Sequence, residues 1–528
     1  YFSAAYQEYC SYHTLYPAAV ADFAQFQFAS GNVSIFGIQP MLRRPWDRER
    51  YCTPVTLSIT GTGTSADYVH SWHFYIDQGG TWRSPKFRWQ FNHSSAQAAL
   101  DEYAMINEIN VPLSAKEVKQ GTLSRLKEAM LLRYRVGNAK RQISELDHIP
   151  PSSNLHFTEY LKGGFDKQYP DHLPPNKNWG TEDDMKEFVR IAHERGHLSM
   201  PYTNTSWWGS TPKGPTFIAA GEAPLAKAKD GKALTETYGN NQGYSLSFHH
   251  PAVQQAHRKV RRQMAQTMQH DILLQDQVGS RGWRVDFNPV EPIKGPNAMD
   301  GLVSLSMEDM EEVMLACEDG YDRVLNIETI ICGSSWGQVP GDGVNRTRHN
   351  KHHFPKGEWQ FFPILGFLGH DKCLFTNHDL DLYIIDHERM AAILAFGYAT
   401  SETWQAGLQN TPKKRDWVFW VDAVQKTACA DYAGRKMLDF IYLQEHTAAP
   451  APHMLIYTRF DGDISVLTNT GKAPITLNGL LERTKLPDGD KSWLEGQVMP
   501  GFGYYVCSPR VRTGHLYASD GKATCFAF

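Results

Sequence analysis

The chain has 528 residues, enough at roughly 150 residues per domain for about three to four domains with a sizeable core. Its 53 Lys and Arg against 57 Asp and Glu give a formal charge of −4. So balanced a surface excludes a chain that binds nucleic acid or an anionic membrane through its whole field. Apolar residues make up 41%, and no apolar run approaches the roughly 18 residues of a membrane span. The chain opens at Tyr1 with neither a Met nor a charged-then-apolar leader, so any signal peptide is expected to lie outside this sequence. Eight scattered cysteines without a C-x-x-C pair exclude a zinc ribbon or thioredoxin motif and leave disulfides open. Sequons at Asn32, Asn92, Asn204 and Asn345 lean toward a secreted, extracellular protein.

Residues 1–150 read first as antiparallel sheet, with β-branched and aromatic residues from Val55 to Thr60 and from Tyr68 to Ile76. Between them, Gly61-Thr62-Gly63-Thr64-Ser65-Ala66 has the outline of a dinucleotide fingerprint. Strand pattern follows it where a helix is required, so it reads as a hairpin turn. From Ala96 to about Lys140 the pattern turns helical, ending at Ile149-Pro150-Pro151.

Residues 151–446 alternate strand and helix. Leu155 to Tyr160 is a strand; Thr181 and Asp184 cap a helix presenting Met185, Phe188, Val189 and Ala192; Gly196 stops it and Leu198 to Tyr202 is the next strand. Pro251 starts a helix that leads to the strand Ile272-Leu273-Leu274. A helix from Ser306 through Cys317 is expected next, then a strand over Val324-Leu325-Asn326-Ile327. After the linker Thr447 to Pro452, residues 447–528 are a small all-β domain with a hairpin at Asp461-Gly462. The predicted fold is therefore α/β: a (β/α)8 TIM-type barrel between an N-terminal β-sandwich-like domain and a C-terminal all-β domain.

A barrel places its chemistry at the C-terminal ends of its strands. Asp276 follows Ile272 to Gln275, and Glu328 follows Val324 to Ile327. An acid ending an apolar strand is costly unless paired or used, and two from neighbouring strands are what glycoside hydrolysis needs. Asp286, closing Gly282-Trp283-Arg284-Val285-Asp286, and Asp379, in Asn377-His378-Asp379, compete for the same role. With Glu328 they resemble the α-amylase pattern, which would make Asp286 the nucleophile. Trp207, Trp208, Trp283 and Trp336 could stack on pyranose rings, while Tyr202, Asn204, Arg284 and His378 could bind hydroxyls.

A broader resemblance covers residues 95 to 470. The segments Phe165 to Asp171, Met200 to Asn204, Asp276-Gln277-Val278-Gly279 with Trp283, Asp286 to Pro289, His370-Asp371-Lys372 and His378-Asp379 resemble a poorly characterised glycosidase-like barrel family. That family is similar in plan to endo-α-N-acetylgalactosaminidases and to α-galactosidase-type enzymes. The resemblance implies a nucleophilic Asp ending the fourth strand and an acid/base Glu ending the fifth, hence Asp276 and Glu328, with Asp286 binding or orienting sugar. It implies a retaining hydrolase of α-linked oligo- or polysaccharide, with no cofactor and no metal. A transglycosylase with the same residues, or a glycan-binding protein without turnover, is the alternative.

His193-Glu194-Arg195-Gly196-His197 matches the zinc-protease signature H-E-x-x-H. Gly196 falls where the helix should stop, so the two imidazoles are not expected to share one helical face.

Overall fold

The computed structural model describes residues 7–11, 21–38, 53–61, 66–73, 76, 78–81, 86–281, 286–289, 300–333, 362–378, 380, 383–444 and 455–528. Near the start are two antiparallel three-stranded sheets, one centred on Thr53–Gly61 and one on Gly31–Ile38. Gly61 pairs with Ala66 across the first, so the glycine-rich stretch joins two paired strands, as its strand pattern requires. Phe36 of the second sheet packs edge-on to Tyr103 of the helix Ala96–Ile106, with ring centroids 5.6 Å apart. The Tyr103 hydroxyl donates to Asp322, tying this sheet to the barrel.

Eight parallel strands form the central sheet: Leu131–Arg135, Asn154–Phe157, Leu198–Thr203, Ile272–Gln275, Met314–Glu318, Ile330–Cys332, Leu374–Thr376 and Ser401–Gln405. The first pairs with the eighth, Leu131 opposite Ser401. The Ala399 N–H reaches the Phe375 carbonyl at 2.7 Å, so the sheet is nearly closed. The first strand lies ahead of the Pro150-Pro151 border read from the sequence. Helix Glu182–Glu194 carries the expected capping box and buries Met185, Phe188, Val189 and Ala192. Gly196 ends it at φ +81°. His193 then pairs with Asp271 at 2.8 Å, while His197 Nδ1 accepts from the Ser153 N–H at 3.2 Å. The H-E-x-x-H imidazoles are thus engaged separately.

The expected helix Ser306 to Cys317 and strand Val324 to Ile327 are both corrected. The helix is Asp300–Asp309, Met314–Glu318 is the fifth barrel strand, and Asp322–Val324 is a 3-10 turn. Met307, Met310, Met314 and Cys317 mimic a helical face only because every residue of the fifth strand is buried. A strand covered on both sides shows no alternation to betray it. Asp309 terminates the helix beneath the fourth strand, accepting from His257 Nε2 at 2.5 Å and Gln275 Nε2 at 2.6 Å.

The loop after the third strand carries a small antiparallel sheet of Trp207–Gly209, Asn241–Ser245 and Thr235–Tyr238. A six-stranded antiparallel sheet runs from Met437–Tyr442 to Ala523–Ala527, and Phe460 faces Ile464 around Asp461-Gly462 as predicted. One apolar core joins Phe36, Leu274 and Phe460. A second, around Leu467, Leu477 and Leu494, lies within the C-terminal sheet. Among the described residues no helix is long and apolar enough to cross a membrane.

Candidate active site

The fourth and fifth strands pair in register, Gln275 opposite Cys317, so the next residue on each, Asp276 and Glu318, stands at the same level. Neighbouring strands are about 4.8 Å apart. Gln275 is bonded to Ser306 and Asp309 of the outer helix, and side chains alternate along a strand. Leu274 and Asp276 therefore face inward.

Asp276 is held from the third strand. Asn204 Nδ2 donates to its Oδ2 at 2.8 Å, and the Tyr202 ring lies close enough to feel its charge. Asn204 is itself fixed: its N–H donates to His172 Nε2 at 3.0 Å, and its Oδ1 accepts from the Ser206 N–H at 3.0 Å. His172 Nδ1 lies 2.8 Å from the Pro170 carbonyl, so Nδ1 carries the proton and Nε2 accepts. Burial pushes this imidazole down to about 4, which keeps that acceptor available. Asn204 is buried and thus orients the carboxylate from beneath.

Glu318 is held from the other side. Ser280 Oγ donates to its Oε2 at 2.7 Å. His378, two residues past the seventh strand, lies with Nε2 2.9 Å from Oε1. The Leu380 N–H donates to His378 Nδ1 at 3.2 Å, so Nε2 bears the hydrogen and donates to Glu318. The segment Asp276 to Ser280 thereby spans both carboxylates. Gly279 permits this: a Cβ there would fall 2.3 Å from the Asp319 carbonyl oxygen and 2.7 Å from that of Glu318. Gly279→Ala is expected to cost about 1–3 kcal/mol of stability, as overpacking does. It should also lower kcat, because it separates the two strand ends; thermal unfolding and initial rates measured together check this.

Asp166, on the loop after the second strand, is a site residue that sequence reasoning did not single out. Its backbone sits at φ +55°, and its N–H donates to the Tyr169 hydroxyl at 3.1 Å. Its carboxyl is raised to about 6, first by burial and then by the charge of Glu318, against the Tyr169 hydroxyl bond that lowers it. Asp166, Tyr169, Tyr202 and Asp276 influence one another electrostatically, and the Phe165 and Tyr202 rings lie 4.9 Å apart. The signal was an Asp within an aromatic segment next to Gly163-Gly164, which has no period to read.

Other expected site residues lie elsewhere. Glu328 is two residues ahead of the sixth strand, hence at the N-terminal rim, opposite Asp276. It is wholly buried, neither carboxylate oxygen has a hydrogen-bond partner, and desolvation raises it to about 8 against the nearby Lys116 charge. The sequence misplaced it because Val324 to Ile327 has the composition of a strand and the geometry of a turn. Asp286 accepts from the Lys227 N–H at 2.8 Å, the Asn288 N–H at 2.9 Å and Ser247 Oγ at 2.5 Å, so it clamps loops. Trp207 and Trp208 are at most 1% exposed; Trp207 packs edge-on to Tyr169 and Tyr238, and Trp208 lies against Phe217. They support the rim from within and offer no face to a sugar. Trp283, Arg284, Trp336 and Asp379 lie outside the described residues.

A nearly closed parallel barrel that sets an Asp and a Glu level at the ends of its fourth and fifth strands has the plan of a barrel glycosidase. Residues 119–288 match a family described as a domain of unknown function (DUF6259). None of the curated proteins compared with the sequence matches it. Among solved structures, the α-N-acetylgalactosaminidase NagBb from Bifidobacterium bifidum is similar at a TM-score of 0.66 and 13% identity, over 89% of this chain and 80% of that one. The GH36 α-galactosidase AgaA from Geobacillus stearothermophilus is similar at a TM-score of 0.52 and 8% identity, over 88% and 67%. The chain thus has a glycosidase fold, and the resemblance read from the sequence segments holds at that level.

Proposed function

We propose that this chain is a glycoside hydrolase that cleaves an α-glycosidic bond with retention, Asp276 acting as nucleophile and Glu318 as acid/base. The supporting observation is the shared level of the two acids on adjacent strands. The strand spacing of about 4.8 Å suits the roughly 5–5.5 Å between carboxyls of a retaining pair better than the roughly 6.5–9.5 Å of an inverting one. Glu318 takes the role that the sequence assigned to Glu328.

Asp276 attacks the anomeric carbon as Glu318 gives its proton to the departing glycosidic oxygen. A glycosyl ester on Asp276 results, with inverted configuration. Glu318, now a carboxylate, takes a proton from water, and the hydroxide attacks the same carbon, freeing Asp276 and restoring the original configuration. Asn204 holds the Asp276 carboxylate in one orientation. His378 and Ser280 donate to Glu318 and stabilise its anionic form between the two steps.

The similar solved proteins are named for α-galactosides and α-N-acetylgalactosaminides, so aryl glycosides of those sugars are the first probes. Proton NMR of the earliest product should show the α-anomer, with the β-anomer arising only by mutarotation. A β-anomer formed first would refute retention.

A further inference from the structure

His387 opens the helix His387–Ala395, behind the N-cap Asp386. Its ring lies 3.7 Å from that of His515, with the planes 14° apart. His515 is on the C-terminal strand Arg512–Tyr517, directly opposite Cys525 of the last strand, and Cys525 Sγ is 3.8 Å from His387 Nε2. One ligand-type atom from each residue lies within 4.8 Å of the other two. The Nδ1 atom of His515 is buried without a hydrogen-bond partner, an arrangement that folded proteins rarely leave uncompensated. Nearby polar groups are committed elsewhere: Asp386 pairs with Arg389 at 2.9 Å, and the Tyr504 hydroxyl accepts from Trp420 at 3.1 Å.

We propose that His387, His515 and Cys525 bind a zinc-class cation that fastens the C-terminal sheet to the barrel. Two imidazoles and a thiolate suit zinc and not the oxygen-seeking magnesium or calcium. Zinc–nitrogen bonds of about 2.0–2.1 Å and zinc–sulfur bonds of about 2.3 Å at a tetrahedral angle put N and S about 3.5 Å apart, close to the separation of Cys525 from His387. The two rings lie stacked, so binding requires one of them to rotate until a nitrogen of each faces the metal. Cys525 ligates as the thiolate. Binding exchanges its proton for the metal ion and releases that proton to water, leaving the fourth coordination position to a water molecule.

The test uses the full chain, stripped with a chelator and titrated with zinc against a chromophoric competitor, and separately with cobalt(II). The expected result is one equivalent of zinc bound, a thiolate-to-cobalt charge-transfer band, and a thermal midpoint that rises with zinc. Cys525→Ser should lose the band, and zinc affinity should fall by more than about 100-fold, the upper range for losing a mere outer-shell partner. Cys525 is exposed, so its replacement by Ser leaves the fold intact, as circular dichroism would verify; His515→Gln should lose the zinc-dependent rise. Cobalt without a charge-transfer band, or zinc affinity equal in the parent and both variants, would overturn the proposal.

Discussion

Asp276→Asn is expected to abolish turnover, lowering kcat by at least about 10⁴-fold, since loss of a covalent nucleophile removes the whole two-step route. The amide is isosteric with the carboxylate, so the unfolding midpoint should stay near that of the parent and substrate should still bind. Asp276→Ala adds a chemical signature. Azide entering the vacated space would attack the anomeric carbon directly and yield a glycosyl azide of inverted configuration. Asp286→Asn should behave oppositely. Its carboxylate accepts from Lys227, Ser247 and Asn288, and an amide can accept through only one of its two polar ends. Stability should therefore fall by about 1–3 kcal/mol while the remaining folded enzyme keeps most of its kcat. Initial rates normalised to folded protein separate the two variants. Activity surviving Asp276→Asn and lost in Asp286→Asn would move the nucleophile to Asp286, as the amylase-like pattern has it.

The parts of this fold legible in the sequence were those with a period or a stop signal. Thr181, Asp184 and Gly196 bound their helix as read, and Ile272 to Gln275 is a strand ending in an inward acid. The fifth strand was hidden because Met314 to Glu318 is buried throughout and continues the spacing of the preceding helix. That places the expected fifth strand at Val324 to Ile327 and the expected acid/base at Glu328, whereas Glu318 ends the strand. Asn204 and His378 were named as sugar ligands, yet they hold the two acids. Residue type marks them as polar site members, but only register tells a group that touches the reacting carboxylate from one that touches sugar. Trp207 and Trp208 depart from the expectation for a related reason. Trp207 and Trp208 are near the right rim, but composition does not say which face of a ring is covered. Asp166 lies within the segment Phe165 to Asp171, but its place depends on a left-handed turn that no periodic pattern announces.

Glu318→Gln and Glu328→Gln should come apart completely. A glutamine at position 318 cannot protonate the leaving oxygen, and loss of a general acid lowers kcat by about 10²–10⁴-fold. The loss should be greatest for alkyl glycosides and least for aryl glycosides whose leaving group departs without protonation. Because that variant also lacks a base for the second step, azide should restore its turnover of aryl substrates and give a glycosyl azide of retained configuration. Glu328→Gln should leave kcat within about twofold, since a group at the opposite rim touches no reacting atom. Its effect belongs to stability and has a definite sign. Burial raises Glu328 from 4.5 to about 8, so the folded chain holds its proton more tightly than the unfolded chain does. The stability that goes with this proton is complete below pH 4.5 and is lost as pH rises toward 8. The neutral amide escapes that loss, and the variant's unfolding free energy relative to the parent should climb between pH 5 and pH 8, by about 1–3 kcal/mol at the upper end. The Lys116 ammonium, which donates to the Glu328 carbonyl at 2.5 Å, offsets part of the desolvation and keeps the gain from being larger. Activity surviving Glu318→Gln and lost in Glu328→Gln would return the acid/base role to Glu328, and a gain in stability that shrinks with rising pH would overturn the reading of Glu328 as a buried group that holds its proton in the folded chain.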